Sequence, residues 1–154
     1  MADVSVTRQI AAPPEVVWSL VSDLPRMGEW SPENTGGTWL GDATGPEVGA
    51  RFEGDNENDG RTWSTVATVT EANGGRSFEF DIDVLRLLPI ARWRFDIERS
   101  ESGCTVTESW TDRRPGWFTP IGTKLTGVPD RAEHSRDSMR QTLDALAAEA
   151  ETAG

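Results

Sequence analysis

The chain has 154 residues, and 26 Asp and Glu against 15 Lys and Arg give it a formal charge of -11 at pH 7. That length suits one domain, residues 1–154, with a core and room for a cavity, and the acidity repels nucleic acid and anionic bilayers, so neither is an expected partner. One cysteine, Cys104, and one histidine, His134, provide no metal-ligand spacing, so no metal or cofactor is expected.

The start, Met1 to Val6, shows no basic segment followed by an apolar run, and no stretch is long enough to span a bilayer. A cytoplasmic protein without integral membrane insertion is expected; the sequence sets no oligomeric state. Val4 to Ile10 alternates apolar and polar residues, the pattern of an opening strand. Pro13 and Pro14 suit the first turn of a helix, where a missing N–H is harmless, and Glu15 complements the helix dipole there. Val17, Leu20, Val21 and Leu24 recur at helical spacing until Ser22-Asp23 and Pro25 stop the helix. After a turn through Trp30-Ser31-Pro32, the residues from Thr35 to Arg113 form short alternating segments separated by Gly, Asn and Asp, the pattern of an antiparallel meander.

The clearest strands are Ala50 to Asn56, Trp63 to Thr70, Ser77 to Asp83, Ala91 to Glu98 and Cys104 to Thr111. Asn73-Gly74-Gly75 and Ser100-Glu101-Ser102-Gly103 are turns. Two strands alternate strictly: Phe78, Phe80 and Ile82 oppose Glu79, Asp81 and Asp83, while Ala91, Trp93, Phe95 and Ile97 oppose Arg92, Arg94, Asp96 and Glu98. Between Pro115 and Val128 the pattern is weak, with Trp117, Phe118, Ile121 and Leu125 in a short helix or an ordered loop. Asp130, three residues before Glu133 and after Gly127-Val128-Pro129, forms a capping box. The helix it opens carries the stripe Met139, Leu143, Leu146 and Ala150 and runs to about Glu149.

Several segments carry a family pattern: Ala12 to Trp18, Asp23-Leu24-Pro25, Glu29 to Glu33, Gly49 to Phe52 with Gly54 and Asn56, Arg61-Thr62-Trp63, and Met139 to Leu146. On these residues nearly the whole chain resembles the polyketide cyclase/dehydrase and lipid transport family, within the START-like (SRPBCC) helix-grip superfamily. The resemblance implies an α+β helix-grip fold: a curved antiparallel sheet of about six or seven strands wrapped around a long C-terminal helix, with short N-terminal helices. None of these motifs is a catalytic signature, and such a fold does not by itself fix function.

Seven tryptophans, five phenylalanines and no tyrosine make an unusual aromatic set. Alternation puts Trp63, Phe78, Phe80, Trp93, Phe95 and Trp110 on inward faces. For any one ring, ordinary core packing is the simpler account. The resemblance implies a cavity between sheet and long helix, which some of these rings, with Met139 and Leu143, should face. Glu108 shares its strand face with Cys104, Val106 and Trp110, so alternation points a carboxylate inward, where it must be paired, hydrogen-bonded or raised in pKa. A one-residue bulge would instead turn Glu108 to solvent. If it faces the cavity, Glu108 is the one candidate for an acid or base, or for holding a ligand hydroxyl.

Asn56 shares a face with Phe52 and Gly54; it either offers an amide to a ligand or orders a turn, and the turn-forming run Asp55 to Gly60 favours the turn. His134 sits away from the Met139 face and is expected to be exposed, and Cys104 has no activating neighbour and is expected to be structural. The favoured function is binding or transport of a hydrophobic or aromatic small molecule, such as a polyketide, lipid or isoprenoid. A polyketide cyclase/aromatase catalysing aldol cyclisation and dehydration is the alternative, weakened by the lack of a Tyr and of an inward Arg. A protein-partner module of co-chaperone type, presenting Trp117 and Phe118, is a third.

Overall fold

A computed structural model describes residues 2–84, 88–128 and 130–153. Strand β1 (Val4–Ile10) is followed by helix α1 (Pro14–Val21), which opens at the prolines and buries Val17, Leu20 and Val21. A 3-10 helix at Leu24–Glu29 then leads into β2 (Asn34–Trp39). The meander continues with β3 (Arg51–Asn58), β4 (Arg61–Asn73), β5 (Ser77–Val84), β6 (Leu88–Ser100) and β7 (Gly103–Asp112). A second 3-10 helix at Gly116–Phe118 runs into α2 (Thr119–Thr126), and α3 (Arg131–Ala153) closes the chain.

All seven strands form one antiparallel sheet in the order β1-β7-β6-β5-β4-β3-β2. Register shifts between Val69 and Glu71, between Ile82 and Asp83, and between Asn34 and Gly36 are places where such a sheet bends. β7 has no such shift against either neighbour. The outer face is an ion-pair lattice: Arg92 pairs with Asp81 at 2.6 Å, and Arg94 reaches Glu71, Glu79 and Asp96. The inner face carries the core, with Phe78 and Val69 nearly fully enclosed.

α3 lies in the curve of the sheet. Asp130 Oδ1 accepts the Glu133 N–H at 3.1 Å, the cap expected from the sequence; Pro129, read as preceding that cap, lies outside the described residues. Met139, Leu143, Leu146, Ala147 and Ala150 are all buried. Arg8 Nε donates to Asp144 Oδ1 at 2.9 Å, the Ala11 N–H to Glu151 Oε2 at 3.0 Å, and Arg26 joins Glu29 to Glu149, so the helix is tied to β1 and to the first 3-10 helix.

Two details differ from the sequence expectation. β2 is absent from the five clearest strands because Gly36 and Gly37 interrupt it. A Cβ at residue 37 would lie 2.2 Å from the Glu53 carbonyl oxygen, so glycine is what lets β2 close on β3. The β3–β4 turn is only Asp59-Gly60, both with positive φ (51° and 77°), the I′ arrangement that matches strand twist. β3 therefore continues through Asn56 to Asn58, and Asn56 is a strand residue facing Trp63, not part of a turn.

Candidate ligand-binding cavity

Between the sheet and α3 lies a cavity of about 150 Å³. Its sheet wall is aromatic and aliphatic: Phe52, Phe80, Ile82, Trp93, Phe95 and Trp110. Leu24, Met27 and Trp30 from the first 3-10 segment and Phe118 and Leu125 from the α2 region form its rim. A wider depression in the Leu40–Arg51 loop has no aromatic lining and is open to solvent.

Seven of the nine residues expected at the site line this cavity: Asn56, Trp63, Phe80, Trp93, Phe95, Glu108 and Trp110. Met139 and Leu143 do not. Met139 is fully buried among Val4, Ala91 and Trp110, and Leu143 belongs to the main core, because the apolar stripe of α3 is used to hold the helix on the sheet. The helix turns a different face to the cavity, made of Arg131, His134, Ser135, Ser138 and Thr142. Their spacing of three and four residues is a polar helical stripe legible in the sequence, overlooked because apolar periodicity dominates such a search.

Glu108 faces inward as strand alternation requires: it sits opposite Val6 and Phe95 in unshifted ladders and is 4% exposed. Its Oε1 has no hydrogen-bond partner among the described residues, and burial pushes the carboxyl well above its ordinary value. No charged neighbour contributes to that shift; desolvation alone opposes ionisation and favours the protonated form. Ser135 Oγ, on the helix side, is equally buried and unpartnered.

Several other polar groups of the lining have partners of their own. Asn56 Nδ2 donates to Thr65 Oγ1 at 3.2 Å and to the Trp63 carbonyl at 3.4 Å. At the rim, Arg131 Nη1 donates to both Glu33 oxygens at 3.0 and 3.1 Å, and His134 Nε2 lies 3.0 Å from Glu33 Oε2. Burial works to raise the Glu33 carboxyl, but His134 and Arg131 outweigh it and hold it below the usual range. Arg114 forks onto Asp112 at 2.9 and 2.7 Å. His134, expected in solvent, is thus half-buried at the cavity rim, held there by Glu33 on the opposite element.

Cys104 is fully buried and burial raises its thiol, which leaves it an inert packing residue. The expected Trp117–Phe118 patch divides: Trp117 is 66% exposed, whereas Phe118 turns into the cavity, the two rings meeting edge to face.

The profile of the family described as polyketide cyclase / dehydrase and lipid transport matches residues 1–151. The chain belongs to that family. Among solved structures, the Polyketide_cyc-like protein of Corynebacterium glutamicum is 31% identical over 97% of this chain and 86% of its own, with a TM-score of 0.54. The di-domain ARO/CYC protein StfQ from the steffimycin biosynthetic pathway superposes with a TM-score of 0.74 at 15% identity, covering 97% of this chain and 50% of that one. Major latex-like protein 151 of Panax ginseng gives 0.71 at 12% identity over 96% and 95% of the two chains. At such identities the last two share only the fold. No curated protein matches the sequence. Among the described residues of this family member, no helix is long and apolar enough to cross a membrane.

Proposed function

We propose that this family member binds and carries a small apolar or aromatic molecule in the cavity between its sheet and α3. The observation that carries this is the cavity itself. At ~24 cal/mol per Å³ of void, leaving about 150 Å³ without packed side chains costs at most about 3 to 4 kcal/mol, the limit for a dry cavity. That is a large share of the 5–15 kcal/mol or so by which a domain is stable. A chain with this many aromatic residues has the side chains to fill the space, and a ligand is the reason to leave it open. The rim is held by ion pairs while the wall is apolar, so affinity comes from burial and selection from shape and a few polar atoms.

Native mass spectrometry of the protein purified under mild conditions is expected to show a co-purifying molecule, released on unfolding. Quenching or enhancement of tryptophan emission by apolar probes should follow, because Trp63, Trp93 and Trp110 line the cavity, and Trp93→Ala should weaken it. A uniformly ligand-free spectrum together with unresponsive emission across a lipid and polyketide panel would sink the proposal.

Cyclase chemistry is favoured by one observation, the buried and unpartnered carboxyl of Glu108 in the cavity lining, where burial favours the protonated form that a general acid for dehydration needs. The same preparation incubated with a poly-β-keto thioester tests it: cyclised product that disappears in Glu108→Gln supports catalysis, and unchanged substrate removes it.

A further inference from the structure

Among the described residues of the lining, three buried polar atoms have no hydrogen-bond partner, Glu108 Oε1 from the sheet and His134 Nε2 and Ser135 Oγ from α3; of these, His134 Nε2 has an ion-pair contact, Glu33 Oε2 at 3.0 Å, which leaves Glu108 and Ser135. Each is sealed from bulk solvent, and an unpaired buried polar atom is expensive to maintain. Several other hydrogen-bonding groups of the lining are turned to their own neighbours: Asn56 to Thr65, Arg131 and His134 to Glu33, Arg114 to Asp112. The space, about 150 Å³, has the size that admits one or two fused rings rather than a long acyl chain.

We propose that Glu108 and Ser135 are the polar anchor of the cavity and recognise an uncharged oxygen, a ketone or a hydroxyl, on a small compound of one or two rings. This rests on the ligand-binding proposal above and narrows it. A carboxylic acid and a serine hydroxyl each donate and accept, so together they satisfy a carbonyl oxygen or a hydroxyl without any net charge entering the apolar space. A pure hydrocarbon of the same shape leaves both atoms unpaired. A carboxylate must be stripped of water, and the nearby cations, Arg114 and Arg131, are already neutralised by Asp112 and Glu33. The discrimination is of the kind in which a site built to hydrogen-bond a substrate oxygen rejects the analogue that lacks it.

Three probes of one shape test this: naphthalene, 2-naphthol and 2-naphthoate, titrated into the full chain while the indole N–H resonances are followed by NMR. Apolar burial alone ranks naphthalene above 2-naphthol, since the hydroxyl makes the latter the less hydrophobic. The anchor reverses that order, with 2-naphthol bound about tenfold more tightly than naphthalene and 2-naphthoate weakest. In Glu108→Met the preference for 2-naphthol should vanish while naphthalene still binds, and that retained binding shows the cavity intact. Ser135→Ala should lower the preference in part. Equal affinities for naphthalene and 2-naphthol in the parent protein, an undiminished preference in both variants, or tightest binding by 2-naphthoate would each overturn the anchor while leaving a binding cavity. Absence of binding by all three probes overturns the cavity-binding proposal, and the anchor with it.

Discussion

Glu108 is held in a position that opposes its ionisation, and this has a measurable consequence for stability. Burial is the sole influence on its carboxyl and raises it above the unfolded value near 4.3. Below that pH both folded and unfolded chains hold the proton, and the group is neutral in its effect. As pH rises, the unfolded chain releases the proton and the folded chain keeps it, so stability falls by about 1.4 kcal/mol for each pH unit until the folded group ionises. Glu108→Gln removes this slope. Thermal melts at a series of pH values should show variant and parent diverging in the variant's favour from about pH 4.5 upward, whatever fixed offset the amide introduces. Parallel profiles would mean that the carboxyl is not the buried acid described. Glu33, Glu71 and Asp112, held low by their guanidinium and hydrogen-bond partners, act in the opposite sense: their contribution is present above the ordinary carboxylate range and lost in acid.

At the scale of elements, the cavity depends on β2, the edge strand that brings Asn34 to its lining. Gly37 lets β2 approach β3: an added Cβ meets the Glu53 carbonyl oxygen at 2.2 Å, and that backbone atom cannot swing aside. Gly37→Ala should therefore cost about 1–3 kcal/mol and release the amides of β2 into hydrogen exchange while those of β6 and β7 stay protected. Equal protection of β2 in parent and variant would show that the edge tolerates the methyl group.

The same strand shows where sequence reading stops. Period-two alternation located β1 and β3 to β7 because each has one covered face. β2, with paired glycines and no consistently buried face, has no such signature. Inward Glu108 followed from alternation because β7 is free of bulges, and six aromatic and amide positions followed from the same rule. The helix side did not follow. Met139 and Leu143 form the strongest stripe of α3, but core packing claims that stripe, and the cavity receives the neighbouring face with Ser135, Ser138 and Thr142. Which of two adjacent helical faces meets a cavity depends on how the helix is rolled, and that is set by distant ties such as Arg8 to Asp144 and Ala11 to Glu151. His134 escaped for the same reason: its partner Glu33 is 101 residues away and meets it only once the first 3-10 segment folds back over α3.

At the scale of the whole molecule, one cavity is lined by residues from the first 3-10 segment, from β2 to β7 and from α2 and α3. A bound molecule therefore draws on the sheet and on segments from both the first and the last part of the chain, and its binding energy is shared between them. A ligand that binds only the folded chain adds about 2.7 kcal/mol of stability at a hundred times its dissociation constant, which for a domain of this size corresponds to roughly 5 to 10 °C in Tm. With 2-naphthol as probe, that rise should be accompanied by slower hydrogen exchange in β2 and α2, which close the rim, as well as in β7 beneath it. Binding confined to an outer surface such as the exposed pair Trp117 and Ile121 produces a different pattern, with protection limited to the α2 segment and no effect of Glu108→Met. A small rise in Tm with protection at α2 alone would place the ligand on that pair and leave the cavity empty.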